Sequence, residues 1–397
     1  MWSRCGSVGV TGNMRIAMVG PFGFRPKKTM RARAFPLAQA LTARGHQVAL
    51  FMPPWHTPAE AGRRWHEAGV AVRYISLGGG PPRLTRRLIR ETLAWQPDVV
   101  HCFKPKAYSG LTAAWVWLAR RRPRLALDAD DWEGWGGWND LEAYPRLVKH
   151  FFAWQESWGM RHNHLLTVAS RALQTLAWGL GCPPERVVYL PNGPGIVAPP
   201  HPLGAGPDGP PTLLLYTRFF EFDPARLARI VAQVYRQIPT LQALLVGASL
   251  READGARFEG EMRALDAWAC VRQAGWLAEE ALPAALAQAH VGLYLMDDTL
   301  LNRAKCPVKL ADMLAVGLPV VGEAVGQVPE YVVHRQTGWL CASGDEAGVA
   351  EGVMRLLGDS AERARLSRQA QQHLRSQFAW EHLAARLEAA YAALPSP

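Results

Sequence analysis

Cys306–Cys341 reads CPVKLADMLAVGLPVVGEAVGQVPEYVVHRQTGWLC. Its spacing predicts a helix over Val308–Val316, a Gly-Leu-Pro turn and a buried strand over Pro319–Gly322. A glycine loop, a second helix start and another strand follow. Helix and strand in alternation are the unit from which parallel sheets are built. Lys309 and Asp312 stand three positions apart, which on a helix sets both on one face. Gly326 opens a loop whose backbone can approach a ligand closely. A cation, a carboxylate and bare amides side by side suit a ligand that carries both phosphate and sugar hydroxyls.

The same rhythm runs outward in both directions. Toward the N-terminus of this stretch, strands are expected at Thr212–Thr217, Ala243–Gly247, Val271–Gly275 and Val291–Leu295. The helices between them are expected at Pro224–Gln237, Ala256–Trp268 and Glu279–Ala289. A first series begins at Met14–Gly20, where the apolar run MRIAMVG ends in glycine. It continues with a helix over Thr29–Arg44 and strands at Gln47–Met52, Val70–Leu77, Asp98–Phe103, Leu125–Asp128, Leu165–Ala169 and Val187–Leu190. Helices are expected at Arg83–Trp95, near Gly110–Arg120 and over Leu141–Met160. Between the two series, residues 194–211 hold seven prolines and four glycines, the composition of a linker. The final segment, Phe378–Leu394, puts Leu383, Leu387, Tyr391 and Leu394 on one stripe, so it must pack on something.

The expected class is therefore α/β, with two doubly wound domains facing across a cleft. The division is a disordered extension at 1–13, a first domain at 14–193, the linker at 194–211, a second domain at 212–377 and a closing helix at 378–397 that packs back on the first domain. Ligands of such sheets sit at the carboxyl ends of strands, at the topological switch point.

Composition excludes several other classes. The 397 residues are 49% hydrophobic and 20% charged, as in a water-soluble globular protein. No apolar run reaches the ~18–20 residues of a membrane span. Six scattered cysteines without a CxxC pair give neither a zinc site nor a disulfide framework, and fit a reducing cytoplasm. The formal charge of +10 is uneven: residues 1–200 carry 26 Lys+Arg against 12 Asp+Glu. That basic half suits a phosphorylated acceptor or an anionic membrane at the inner face of the cell. Nucleic acid is not expected, since charge is its only support.

In this order and at these intervals, several motifs resemble glycosyltransferase family 4, the retaining, metal-independent group with the GT-B fold. They are ARGHQVALF after the first helix, PNG at Pro191–Gly193, ALLVG at Ala243–Gly247, QAGWL at Gln273–Leu277, then KLADMLAVGLPVV with GQVPE. FAWEHLAARLEAAY is similar to the family's closing helix, which crosses back to the first domain. The likeness extends from Met14 to the C-terminus.

The resemblance implies a nucleotide diphosphosugar held against the second domain, with no cofactor and no metal. Asp312 then falls where a glutamate binds the ribose hydroxyls, and Ala304 where another glutamate contacts the transferred sugar. Arg218 matches an arginine that clamps the diphosphate, with Lys309 in place of a missing companion lysine. Gly326 and Gln327 would offer amides, Glu330 would close the glycine loop, and Trp276 and Leu277 would meet the base. In the first domain, Gly23, Lys27 and Lys28 lie in the loop that meets the acceptor, a sugar or a lipid-linked sugar. Where the family has a histidine, this chain has Asp130 and Asp131 in LDADDWEGW; either is suited to a sugar hydroxyl or the acceptor hydroxyl. Trp132 and Trp135 are candidates to stack on a sugar or lipid. Asp128-Ala129-Asp130 spells a DxD, but in the acceptor domain, where no metal is expected. The resemblance also leaves room for a nucleotide-sugar binder without turnover, or for a nonhydrolysing epimerase.

Overall fold

The computed structural model describes residues 12–119, 123–197 and 206–394. Most of the expected N-terminal extension, and residues 198–205 of the expected linker, lie outside these. Two sheets are present. The first is built from β1 (Arg15–Val19), β2 (Gln47–Met52), β3 (Arg64–Glu67), β4 (Val70–Tyr74), β5 (Val99–Phe103), β6 (Arg124–Ala129), β7 (Leu165–Val168) and β8 (Val187–Tyr189). Its order is β3-β4-β2-β1-β5-β6-β7-β8, and every pair is parallel except β3–β4. The second holds β9 (Thr212–Tyr216), β10 (Gln242–Val246), β11 (Val271–Gly275), β12 (Val291–Tyr294), β13 (Val320–Glu323) and β14 (Gly338–Cys341). It is parallel throughout, in the order β11-β10-β9-β12-β13-β14.

Each sheet reverses its winding once, between β1 and β5 and between β9 and β12. Both reversals open a crevice at strand carboxyl ends, where a ligand is received. The central strands are buried on both faces, β5 at all five residues. This is why they read as continuous apolar runs rather than as alternating ones.

The sequence-based boundaries hold for most strands. The differences have local causes. The helix expected from Thr29 begins as a π-helix, Met30–Ala34, before Phe35–Ala43. The stretch 141–160 is split into Trp138–Leu141 and Arg146–Arg161, with Pro145 at the second N-cap. The edge strand β3 and the helices Arg171–Gly179, Glu346–Gly358 and Ser360–Phe378 were not expected.

The chain crosses between the sheets twice, at 191–195 and at 378–380, and the crossings touch. A Cβ on Gly193 would lie 2.7 Å from the carbonyl oxygen of Phe378. Only glycine admits that approach. The Trp380 indole donates to the carbonyl of Pro194 at 2.8 Å. Beyond this point the helix Trp380–Ala392 buries Leu383, Leu387 and Tyr391 in one cluster with Ile16, Leu37 and Leu41 of the first sheet's layer.

A polar chain runs through the interior from this helix to the crossing. Tyr391 Oη is 2.6 Å from His101 Nδ1, and His101 Nε2 is 3.2 Å from Thr167 Oγ1. Thr167 donates to Asp128 Oδ2 at 2.5 Å. Arg33 clasps the same carboxylate through Nε and Nη2 at 2.7 and 2.6 Å, and donates to Asn192 Oδ1 at 2.9 Å. Asn192 Nδ2 donates to the carbonyl of Cys306 at 3.0 Å, and Tyr331 Oη to the carbonyl of Asn192 at 2.5 Å. Burial holds the His101 imidazole down at about 4, so it is neutral. Arg33 and Asp128 are both fully buried, so neither can lose its partner cheaply.

Arg33→Ala is expected to cost about 3–5 kcal/mol in urea unfolding, because it strands the buried Asp128 carboxylate. The double change Arg33→Met/Asp128→Leu should recover most of that loss. Equal destabilisation by the single and double changes would contradict the assignment.

Candidate active site

A cavity of about 1100 Å³ lies between the carboxyl ends of the two sheets. Its wall on the second sheet comes from the turn after β9 and from the helix Val308–Ala315. Arg218 follows β9, and its guanidinium lies 5.0 Å from the Phe220 ring centre. Among the described residues it makes no ion pair; the Nε is buried without a hydrogen-bond partner. Lys305 Nζ stands 3.0 Å from Glu221 Oε1, and Lys309 Nζ 3.9 Å from the same oxygen. Among the described residues, Lys309 Nζ makes no hydrogen bond. Three cations thus converge on one carboxylate.

Burial pushes the Lys309 ammonium down to about 8, against the pull of Glu221. Burial acts in the opposite sense on Glu221, but Lys305 and Lys309 outweigh it and hold the carboxyl at about 2. Arg218 and Glu221 do not pair directly, and neither do Lys309 and Asp312. Asp312 is buried one turn below Lys309, and its Oδ1 accepts from the Gly195 amide at 2.7 Å. Burial pushes this carboxyl up to about 7, although the amides of Gly195 and Ile196 favour its charge.

The opposite wall follows β5 and β6. Lys104 Nζ sits 2.7 Å from Glu133 Oε1, 3.1 Å from Asp130 Oδ1 and 3.2 Å from Asp131 Oδ2. Lys106 Nζ is 2.6 Å from Glu133 Oε2. Burial raises the Asp130 carboxyl to about 6, with Lys104 opposing and Asp131 adding repulsion. Burial would also raise Glu133, but the two lysines prevail and hold it at about 2. Asp130, Asp131, Lys104 and Lys106 all line the cavity. Asp128 does not: Arg33 and Thr167 take both of its oxygens.

At the mouth, Lys28 Nζ meets Glu279 Oε1 at 2.9 Å and lies 5.3 Å from the centre of the Trp276 ring. Lys27 pairs with Glu142 at 3.0 Å. Trp276, Leu277, Lys27 and Lys28 are all part of the wall.

Other sequence candidates lie elsewhere. Gly326 has φ +54°, and a Cβ there would lie 2.7 Å from Arg303 Cα, so its glycine lets the loop pack on the helix Leu300–Ala304. Gln327 Oε1 accepts from the Arg171 amide at 2.9 Å, and its Nε2 donates to Tyr189 Oη. Glu330 pairs with Arg171 at 3.0 Å and accepts from Tyr189 at 2.6 Å. These two side chains brace the second sheet against the first and do not line the cavity. Gly23 packs against Tyr74, where a Cβ would lie 3.0 Å from the hydroxyl. Trp132 is buried and donates to the carbonyl of Trp135 at 2.7 Å, which closes the turn. Neither tryptophan reaches the cavity wall; Trp138 does. Ala304 is fully buried in the first sheet's apolar cluster, and its carbonyl accepts from Ser170 at 2.7 Å.

Sequence reasoning missed Lys104, Lys106, Glu133, Lys305 and Arg33. Lys104-Pro105-Lys106 was a usable signal, since two cations directly follow a wholly buried strand. Arg33 left none; it sits in an apolar helix face and is explained only by Asp128.

Two family models match: a "Glycosyl transferase 4-like domain" over residues 29–193 and "Glycosyl transferases group 1" over residues 211–359. The chain belongs to glycosyltransferase family 4. This glycosyltransferase is 26% identical over 400 aligned residues to a glycogen synthase of Mycobacterium tuberculosis, covering 90% of this chain and 89% of that one. It is 34% identical to the N-acetyl-alpha-D-glucosaminyl L-malate synthase of Bacillus anthracis, over 21% of this chain and 22% of that one. Its fold matches a sucrose-phosphate synthase of Thermosynechococcus elongatus with a TM-score of 0.71 at 18% identity, over 96% and 98% of the chains. It also matches HepE of Anabaena, solved with UDP and glucose, with a TM-score of 0.68 at 16% identity, over 96% and 100%. The architecture is GT-B, as expected, with the last helix returning to the first domain.

The two shifted groups give the glycosyltransferase a pH signature. Below about 7 Asp312 gains a proton, and above about 8 Lys309 loses its charge. Nucleotide affinity, followed by calorimetry, should peak between these values and fall on both sides. Lys309→Arg should remove the alkaline fall, since a guanidinium stays charged.

Proposed function

We propose that this protein is a retaining, metal-independent glycosyltransferase that moves a hexose from a nucleoside diphosphosugar to an acceptor hydroxyl. The observation that carries this reading is the convergence of Arg218, Lys305 and Lys309 on Glu221, beside Asp312. A diphosphate satisfies all three cations at once, including the two buried nitrogens that lack a hydrogen-bond partner. Asp312 lies one helical turn away, placed to accept from ribose hydroxyls. UDP-glucose is the first donor to try, because the HepE structure holds UDP and glucose on the same fold.

In this mechanism the departing diphosphate takes its charge compensation from the three side chains, the role a divalent cation has elsewhere. The DxD spelling does not argue for a metal, because Asp128 is consumed by Arg33 and Thr167. The transferred sugar lies toward Lys104 and Asp130, which supply one donor and one acceptor for its hydroxyls. The acceptor attacks from the same face that the diphosphate leaves, and an oxygen of the leaving group receives the acceptor's proton. The Gly23 loop and the basic wall with Lys27, Lys28 and Lys106 face the acceptor. The reaction belongs in the cytoplasm, at the inner face of the membrane, in the assembly of a cell-surface polysaccharide or its precursor.

A second reading is a binder of nucleotide sugars without turnover. Ala304 favours it, since the position offers a methyl group to the core rather than a carboxylate to the sugar. Release of labelled nucleotide from a donor panel separates the two, and binding with no release would leave only the second. Sugar interconversion without any acceptor would instead indicate an epimerase.

Asp312→Ala should weaken donor binding by roughly 10- to 150-fold, through the loss of one or two charge-assisted hydrogen bonds. Lys309→Ala should lower kcat by about 10²–10³, the size seen when one donor to a developing charge is removed. Unchanged affinity in the first variant would show that Asp312 does not hold the ribose.

A further inference from the structure

Three helices, Gly80–Ala94, Ala107–Leu118 and Arg146–Arg161, cover one face of the first sheet. They bury Leu84, Leu88, Ala113, Val116 and Met160 in a common cluster. A surface helix ordinarily turns its only apolar stripe inward. Two of these carry a second stripe outward. Arg146–Arg161 exposes Leu147, Phe151 and Trp154 by 84%, 40% and 50%, at the spacing of one helix face. Ala107–Leu118 exposes Trp115 and Leu118 by 49% and 75%.

The rings of this face form a ladder. Tyr144 and Phe152 centres are 5.2 Å apart, and Phe152–Phe151, Phe151–Trp154 and Trp154–Trp158 are each 5.9 Å apart. His162 then stacks on Trp158 at 4.2 Å. The upper end of the ladder, Tyr144, Phe151 and Phe152, is cavity wall. An apolar track therefore leads from the active-site cleft onto the outer surface without interruption.

The charge on the same three helices is one-sided. They hold seven Lys and Arg, at 83, 86, 87, 90, 146, 149 and 161, against Glu91 and Glu156. Glu91 is paired with Arg64, and Glu156 is wholly buried. Arg83, Arg86, Arg90 and Arg146 form no ion pair among the described residues.

We propose that this face docks on an anionic lipid bilayer, so that the cleft opens at headgroup level and the acceptor is an amphipathic lipid whose chain lies along the ring ladder. The acceptor half of this proposal rests on the glycosyl-transfer reading; the docking half does not. Indole and phenol rings favour the water–lipid boundary, and cations beside them favour acidic headgroups. A second copy of the chain is a poor occupant, because it would bring the same seven cations against these.

The test is flotation of the purified full chain with vesicles of phosphatidylglycerol and phosphatidylcholine. The protein should float with the mixed vesicles, much less with phosphatidylcholine alone, and less again in high salt. Trp115→Ser/Leu147→Ser/Trp154→Ser should lose at least about tenfold in partitioning, since it removes most of the exposed apolar area. Its thermal shift with nucleotide should not change. Arg83→Gln/Arg86→Gln/Arg90→Gln, all at exposed positions, should weaken binding to the acidic vesicles alone. Docking is overturned if the natural chain stays unbound, if the apolar triple variant floats as well as it does, or if the face instead forms dimers in sedimentation without binding vesicles. Nucleotide turnover that survives such a result leaves the transferase reading standing; flotation without turnover does the reverse. Docked protein that prefers soluble sugars over lipid-linked ones would overturn the acceptor half.

Discussion

A guanidinium buried against a carboxylate stands at the centre of this protein. Arg33 leaves the helix after β1 to meet Asp128 at the end of β6, and both are shut off from water. Desolvating two charges is expensive unless each finds a full set of partners. Thr167 completes the carboxylate, and Asn192 takes the remaining face of the guanidinium. Asn192 belongs to the first crossing between the sheets, and it fixes Cys306, two residues before the helix of Lys309 and Asp312. The pair therefore sets the position of both cleft walls. The same chain of contacts reaches Tyr391, so the returning helix is tied to the site through a neutral His101.

The two walls differ in charge for a reason that their neighbours supply. On the first sheet, Lys104 faces three carboxylates, and Lys106 shares one of them, Glu133. On the second, Lys305 and Lys309 share Glu221, and Arg218 makes no ion pair among the described residues. One side has acceptors to spare, and the other has cations to spare. A molecule with hydroxyls at one end and a diphosphate at the other meets both demands. Burial sharpens the contrast, because it strengthens every unscreened interaction within the cleft. It also brings Asp312 up to about 7 and Lys309 down to about 8, so both titrate near neutral pH.

The legible part of the site was the part that follows a strand directly. Arg218 after β9 and Asp130 and Asp131 after β6 could be placed because side chains at strand carboxyl ends face the crevice. Lys309 and Asp312 were legible from helical spacing. Gln327 and Glu330 were not: their motif suggested a ligand, yet the side chains are occupied by Arg171 and Tyr189, from a helix and a strand more than a hundred residues away. Trp132 misled for a similar reason, since a turn needed its indole as a filler. The outward stripe on Arg146–Arg161 was hidden because a helix with two apolar faces reads from sequence as a buried one.

By itself, the sequence determined the two largely parallel sheets and the returning helix. Those follow from local periodicity, from glycine and proline at fixed places, and from apolar stripes that must be covered. The tertiary structure alone decided which charges are partners. Lys309 shares a helix face with Asp312, as its spacing predicts, yet the carboxylate nearest its ammonium is Glu221 at 3.9 Å; Arg218 makes no ion pair among the described residues. Pairing of charges depends on distances of a few ångströms between segments far apart in the chain, and on how far water is excluded from each. Neither quantity is encoded in local spacing.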